Sequence, residues 1–209
     1  MILSLDTIDR AATLAVNGLH CGLTDGLWRF CSLKAVWIPL YLFIVWLLMR
    51  RLGWKKGLAA VLAAGLTVLC CDQLAGLVKH LVARPRPCHD EAMLAAGLRL
   101  LESAGGQFGF FSGHAANAFG IAACSAAMLA TDKNHRYGWY RWCIFIWAAL
   151  VGVSRVFVGK HYLGDVLVGS VAGLLIGLAI ALLTRLTIDK LSSSPSGCHG
   201  SPSQAHTRP

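Results

Sequence analysis

The 209-residue chain is poor in charge, and in acidic charge above all. Asp and Glu number 10 against 19 Lys and Arg, and only 14% of residues carry a charge. With 56% apolar residues, this composition excludes an ordinary soluble domain and points to a helical membrane protein. The net charge of +9 does not imply nucleic-acid binding, because the cations stand at the ends of apolar runs and not on a soluble face. Orientation in a membrane and contact with anionic lipid account for them better. The eight cysteines contain no Cys-x-x-Cys pair, which argues against a zinc site. Cys70, Cys71, Cys124 and Cys143 lie in apolar runs. Cys21, Cys31 and Cys88 fall outside them, where an oxidising space is permitted but no disulfide is implied. No cluster of carboxylates and histidines offers a metal cage. The N-terminus lacks the basic start and small-residue cleavage site of a signal peptide.

Apolar runs of spanning length occur at residues 33–49, 57–78, 114–131, 142–158 and 165–186. The expected fold is all-α: an integral membrane helical bundle with five transmembrane helices. Residues 1–32 read as an interfacial amphipathic segment, 33–187 as the membrane domain, and 188–209, rich in Ser, Pro and Gly, as a disordered tail. His199 and His206 in that tail are not expected to be ligands. The turns carrying Arg50, Arg51, Lys55 and Lys56, and Lys133, His135, Arg136 and Arg141, are short and basic, which predicts that they are cytoplasmic. The N-terminus and the other two connections then face outward. Gly169, Gly173 and Gly177 recur at every fourth place, a pattern that admits close approach of another helix. Residues 90–103 have helical periodicity and suggest a rim or lid over the site, ended by Gly105-Gly106. Asp72 lies inside the second run, seven residues before Lys79 on one helical face. It either steers that lysine through neighbours or makes a polar contact between helices.

The stretch from Ser154 to Asp165 packs two cations, a histidine and a carboxylate between two apolar runs. If helical, it puts His161 and Asp165 on one face, where the carboxylate fixes the imidazole tautomer and frees the other ring nitrogen as base or nucleophile. Arg155 offers a planar fork suited to phosphate. The alternative for this stretch alone is a juxtamembrane loop whose charges face water. Two further segments fall on the same expected side of the membrane. Lys79 is followed by Arg86-Pro87, and Ser112-Gly113-His114 opens the third run.

These three segments, in this order, resemble the motifs of the type 2 phosphatidic acid phosphatase superfamily of membrane lipid phosphatases, related to bacterial acid phosphatases and vanadium haloperoxidases. The resemblance covers residues 33–186, five of the family's usual six spans, and departs from it where Phe111 stands in place of the usual proline. It implies that Lys79, Arg86 and Arg155 bind phosphate oxygens, with Ser112 and the Gly113 amide adding hydrogen bonds. It implies that His161 is the nucleophile, Asp165 its orienting carboxylate, and His114 the acid that protonates the leaving oxygen and then activates water. It implies no cofactor, since three cations supply the charge a metal would. Arg84 and Lys160 are secondary candidates for a second phosphate or lipid headgroups. The expected activity is hydrolysis of a lipid phosphate or diphosphate, with membrane lipids as further partners and no nucleic acid. An outward site suggests a bacterial inner-membrane enzyme and, by family analogy, an isoprenoid carrier such as undecaprenyl diphosphate. Phosphatidylglycerol phosphate, phosphatidic acid and lipid A phosphates are the close alternatives. An anion-binding transporter would place its cations near the midplane and not at one end. A silent lipid-binding relative would lose His161 or Asp165, and both are present.

Overall fold

The computed structural model describes residues 5–19 and 21–193; His199, His206 and the rest of the stretch 194–209 lie outside the described residues. Among the described residues seven α-helices follow in order: α1 (Leu5–Asn17), α2 (Gly22–Ser32), α3 (Ile38–Val82), α4 (Glu91–Ala95), α5 (Gly113–Leu129), α6 (Gly138–Phe157) and α7 (Leu163–Ser193). Short 3-10 turns stand at Lys34–Trp37 and Pro87–His89. α7 runs to Ser193, six residues into the stretch expected to be tail.

α3 is a hairpin and not a rod. Gly53 adopts φ 74°, a left-handed conformation that interrupts a helix and favours glycine. Beyond it, Gly57 packs directly on the Met49 backbone. Eight residues would lie about 12 Å apart along a straight helix, so the chain has turned back. The two arms bury Ile44, Leu47 and Leu48 against Ala60 and Ala63. In the turn, Arg51 meets His135 at 2.9 Å, which brings the two basic turns to one end of the molecule. The five expected apolar runs thus correspond to the two arms of α3, α5, α6 and α7. The α3 hairpin with its leading turn, α6 and α7 are each long and apolar enough to cross a membrane. Leu42, Trp46, Leu62, Leu175 and Leu182 face outward from them, a surface that suits hydrocarbon and not water.

α5 lies between α3, α6 and α7, and this explains its alanine content. Ala115, Ala116, Ala118, Ala122 and Ala123 are all buried, on several sides of the helix. The glycine stripe of α7 packs on its backbone: Gly169 against Ser112, Gly173 against Ala116 and Gly177 against Gly120. A Cβ at any of the three would stand inside the α5 main chain. The close approach read from the sequence therefore has α5 as its partner.

Two expectations change. Residues 90–103 hold only the short α4, because Asp90 caps its start and Gly97, at φ 90°, ends it. α1 also presents an unexpected face to the protein. Thr13 and Asn17 are buried and Asp9 is half-buried, while Leu5 and Ile8 point outward. Its polar side is its docking side. Among the described residues no disulfide forms, and Cys21, Cys31 and Cys88 are free thiols.

Candidate active site

The stretch from Ser154 to Asp165 is not one helix. α6 ends at Phe157, and Gly159 turns the chain at φ 78° against the Arg99 carbonyl and Leu100, with no room for a Cβ. The amides of Lys160 and His161 both donate to the Arg155 carbonyl, at 3.1 and 3.2 Å. α7 then starts at Leu163, with Asp165 in its first turn. Helix ends leave unpaired amides and carbonyls that need partners when buried. α1 supplies them on both sides of the turn. Asn17 donates to the carbonyls of Val156 and Phe157, each at 3.1 Å, while Thr13 and Asp9 accept from the Leu163 and Gly164 amides at 2.9 and 2.7 Å.

His161 and Asp165 meet despite the turn. Both are buried, and His161 Nδ1 faces Asp165 Oδ2 at 3.5 Å, long for a hydrogen bond and within reach of tightening when substrate binds. The same Oδ2 accepts the Tyr162 amide at 3.2 Å, and Oδ1 accepts from Arg84 at 2.9 Å. Burial pushes the His161 imidazole down to about 4, against the opposing pull of Asp165 and with help from Arg155 and Arg86. At that value the ring is uncharged near pH 7, and a proton carried on Nδ1, toward Asp165, would leave Nε2 for a phosphorus atom.

The other expected site residues gather around this pair. The chain after α3 is extended through Pro85, which bridges Phe108; the Arg86 amide donates to the Gln107 carbonyl and the Gly109 amide to the Arg84 carbonyl. This pairing lays the first motif beside the approach to the second. Gly105, Gly106 and Gly109 wrap the Arg86 side chain, whose Nε donates to the Phe108 carbonyl at 3.1 Å. A Cβ on Gly109 would stand 3.0 Å from Arg86 Cγ and 3.2 Å from Asp165 Oδ2. Lys79 Nζ reaches Gly113, 3.7 Å from where its Cβ would be. Ser112 is buried, caps α5 by accepting from the Ala115 amide, and donates its own amide to the Asp165 carbonyl at 3.0 Å. Lys34, Lys79, Arg155 and His161 are all near enough to act electrostatically on His114. Arg155 is buried, donates to the Ser32 hydroxyl of α2, and lies 3.9 Å from Glu102.

Several neighbours escaped the sequence reading. Lys34, taken there as part of the first span, lines a cavity with His114. Ser32 and Glu102 carried no motif at all. Glu102 takes the Lys160 ammonium at 2.7 Å, so Lys160 is engaged and not free for a headgroup. Arg84 is likewise committed: it pairs with Asp6 and Asp9 at 2.9 and 2.8 Å as well as with Asp165. Asp72 accepts from Asn117 at 2.8 Å across α3 and α5, which is the interhelix contact; its Oδ1 and Lys79 Nζ also approach the same side of Gly113.

A cavity of about 410 Å³ opens from His114 between α5 and both arms of α3. Lys34, Asp72 and Asn117 are polar residues in its wall, and Trp37, Tyr41, Val61 and Ile121 are among its apolar ones. A group bonded to a phosphate beside His114 would enter an apolar slot.

The family model described as PAP2 superfamily matches residues 56–188. The chain belongs to the PAP2 superfamily. Like other members it is a membrane lipid phosphatase, a hydrolase of phosphoric esters. Among curated relatives, a lipid A 4'-phosphatase of Bacteroides thetaiotaomicron is 33% identical over 175 residues, 83% of this chain and 75% of that protein. A lipid A 4'-phosphatase of Porphyromonas gingivalis is 32% identical over 81% of this chain and 70% of its own length. Two solved structures share the fold. A transmembrane PAP2 type phosphatidylglycerolphosphate phosphatase from Bacillus subtilis superposes with TM-score 0.63 at 22% identity, covering 91% of this chain and 89% of that one. Aquifex aeolicus LpxE gives 0.61 at 24% identity, covering 86% and 98%.

Proposed function

We propose that this PAP2 enzyme hydrolyses a phosphate monoester of a lipid A-type glycolipid. The observation that carries the reading is its identity to two curated lipid A 4'-phosphatases over four-fifths of its length. This favours the lipid A alternative over the isoprenoid diphosphate first expected. The cavity beside His114 suits an amphiphilic leaving group, with Lys34, Asp72 and Asn117 for polar contacts and an apolar wall for hydrocarbon.

In the proposed reaction the phosphate lies among Lys79, Arg86 and Arg155, whose charges offset the negative charge that develops on its oxygens. Ser112 and the Gly113 amide, at the start of α5, add donors where a helix favours an anion. The Nε2 lone pair of His161 forms a P–N bond as the P–O bond to the lipid breaks. Asp165 holds the Nδ1 proton and balances the positive charge on the ring. His114 gives its proton to the departing oxygen, then takes one from water. That water attacks phosphorus, breaks the P–N bond and releases phosphate. The two arms of α3, α5, α6 and α7 cross the inner membrane, with the basic turns cytoplasmic and the site facing the periplasm.

The test is phosphate release by purified protein from lipid A, undecaprenyl diphosphate, phosphatidylglycerol phosphate and phosphatidic acid. The highest kcat/KM is expected on lipid A. A higher value on undecaprenyl diphosphate would reinstate the isoprenoid reading.

A further inference from the structure

We propose that Arg84 is a positioning residue that acts on His161 through Asp165, and that α1 holds it in place. It stands inside the first segment that carries the family resemblance, between Lys79 and Arg86, where the resemblance gives it no role, and the natural reading of a cation in Arg84-Pro85-Arg86-Pro87 is another phosphate ligand. The geometry points elsewhere. The Arg84 guanidinium meets Asp165 Oδ1 at 2.9 Å, Asp9 at 2.8 Å and Asp6 at 2.9 Å, and lies 3.8 Å over the Tyr162 ring. Its side chain is 18% exposed and that of Asp165 0%, so this is no solvent-screened surface pair. Three carboxylates and a ring face leave the guanidinium little freedom to turn toward a phosphate.

The arrangement divides the work of Asp165 between its two oxygens. Oδ1 takes Arg84, and Oδ2 takes the Tyr162 amide and faces His161. A carboxylate held on both sides cannot rotate, so the direction in which it presents Oδ2 to the imidazole is fixed. Arg84 also offsets part of the Asp165 charge felt by His161. Asp9 locks the assembly to the fold, since one oxygen pairs with Arg84 and the other accepts the Gly164 amide at the start of α7. A second bridge from α1 runs through Arg10 to Asp90, and Asp90 accepts from the Tyr162 hydroxyl at 2.8 Å. The N-terminal helix is thus part of the scaffold of the nucleophile. The charged and titratable groups around the pair are Arg84, Arg86, Arg155, Lys79 and His114, with Asp9 and Asp6 behind Arg84.

The test compares Arg84→Gln and Arg84→Lys in the wild-type and Asp165→Asn backgrounds, in purified full-length protein on p-nitrophenyl phosphate. Arg84→Gln is expected to lower kcat about tenfold or more with KM nearly unchanged. It is also expected to move the acid limb of kcat/KM to higher pH, because Asp165 then acts on His161 without an opposing charge. Arg84→Lys keeps the charge and should recover part of kcat and leave the limb in place. In the Asp165→Asn background both substitutions should change kcat by less than about threefold. The same factor in both backgrounds, a limb unmoved by Arg84→Gln, or a raised KM with unchanged kcat would overturn the proposal; the last would make Arg84 a phosphate ligand. If Arg84→Gln fails to fold, the Arg84→Lys cycle with Asp165→Asn decides alone. The result is independent of the natural lipid, because the wild type need only turn over the chromogenic ester.

Discussion

At the scale of single residues, the two histidines of the site are set apart by surroundings as well as by assigned role. His161 is enclosed beside Asp165, whereas His114 stands at the mouth of an apolar cavity where a leaving group would lie. If His161 is the nucleophile, His161→Ala should give no phosphoenzyme and no burst on any substrate. If His114 is the acid, His114→Ala should lose on the order of a hundredfold on a lipid monophosphate, whose alkoxide leaves badly without a proton. The same variant should regain most of its first-turnover burst on p-nitrophenyl phosphate, whose phenolate needs no proton. A burst equally impaired on both substrates would remove His114 from that role. The pH profile separates Asp165 in turn. His161 is held down to about 4 by burial while Asp165 pulls it up, so Asp165→Asn should move the acid limb of kcat/KM to lower pH and reduce kcat. Substrate ionisation is common to both enzymes and cancels in the difference. A limb that stays in place would show that the carboxylate does not act on the imidazole.

At the scale of elements, the bundle depends on how closely α7 can approach α5. Gly173 packs on the Ala116 main chain, at the interface that also carries Ser112. A side chain there must push the two helices apart, because backbone cannot yield as a side-chain tip does. Gly173→Leu is therefore expected to cost about 3 kcal/mol or more. In detergent its unfolding midpoint should fall well below that of Val171→Ala, an outward-facing control on the same helix. Equal midpoints would mean that the stripe is not a packing surface. The capping by α1 works at the same scale: the ends of α6 and α7 are finished by Asn17, Thr13 and Asp9, and the loop between them carries His161.

At the scale of the whole molecule, the basic turns and the candidate site lie at opposite ends of the helices. The contact between Arg51 and His135 gathers one end, and Lys79, Arg86, His114 and His161 gather the other. With the basic end cytoplasmic, a cysteine placed at exposed Ala96, in a background without the native cysteines, should react with an impermeant thiol reagent on intact spheroplasts. Labelling only after the membrane is opened would reverse the orientation.

The residue types of the site, their order and the apolar runs that separate them were legible in the chain alone. Hydropathy and charge are local properties, and they singled out Arg155, His161 and Asp165; the family motifs that the chain resembles added Lys79, Arg86, Ser112, Gly113 and His114 as candidates without knowledge of any contact. The glycine stripe announced a close neighbour for the same reason. Its partner and the wrap of Gly105, Gly106 and Gly109 around Arg86 were decided only by tertiary structure. So were the engagement of Arg84 by Asp165, 81 residues away, and the capping of Leu163 by Thr13 across 150 residues. A side chain on a membrane-edge helix reads as amphipathic whichever way it points. Only the packed fold decides whether its polar face meets water or finishes the ends of two buried helices.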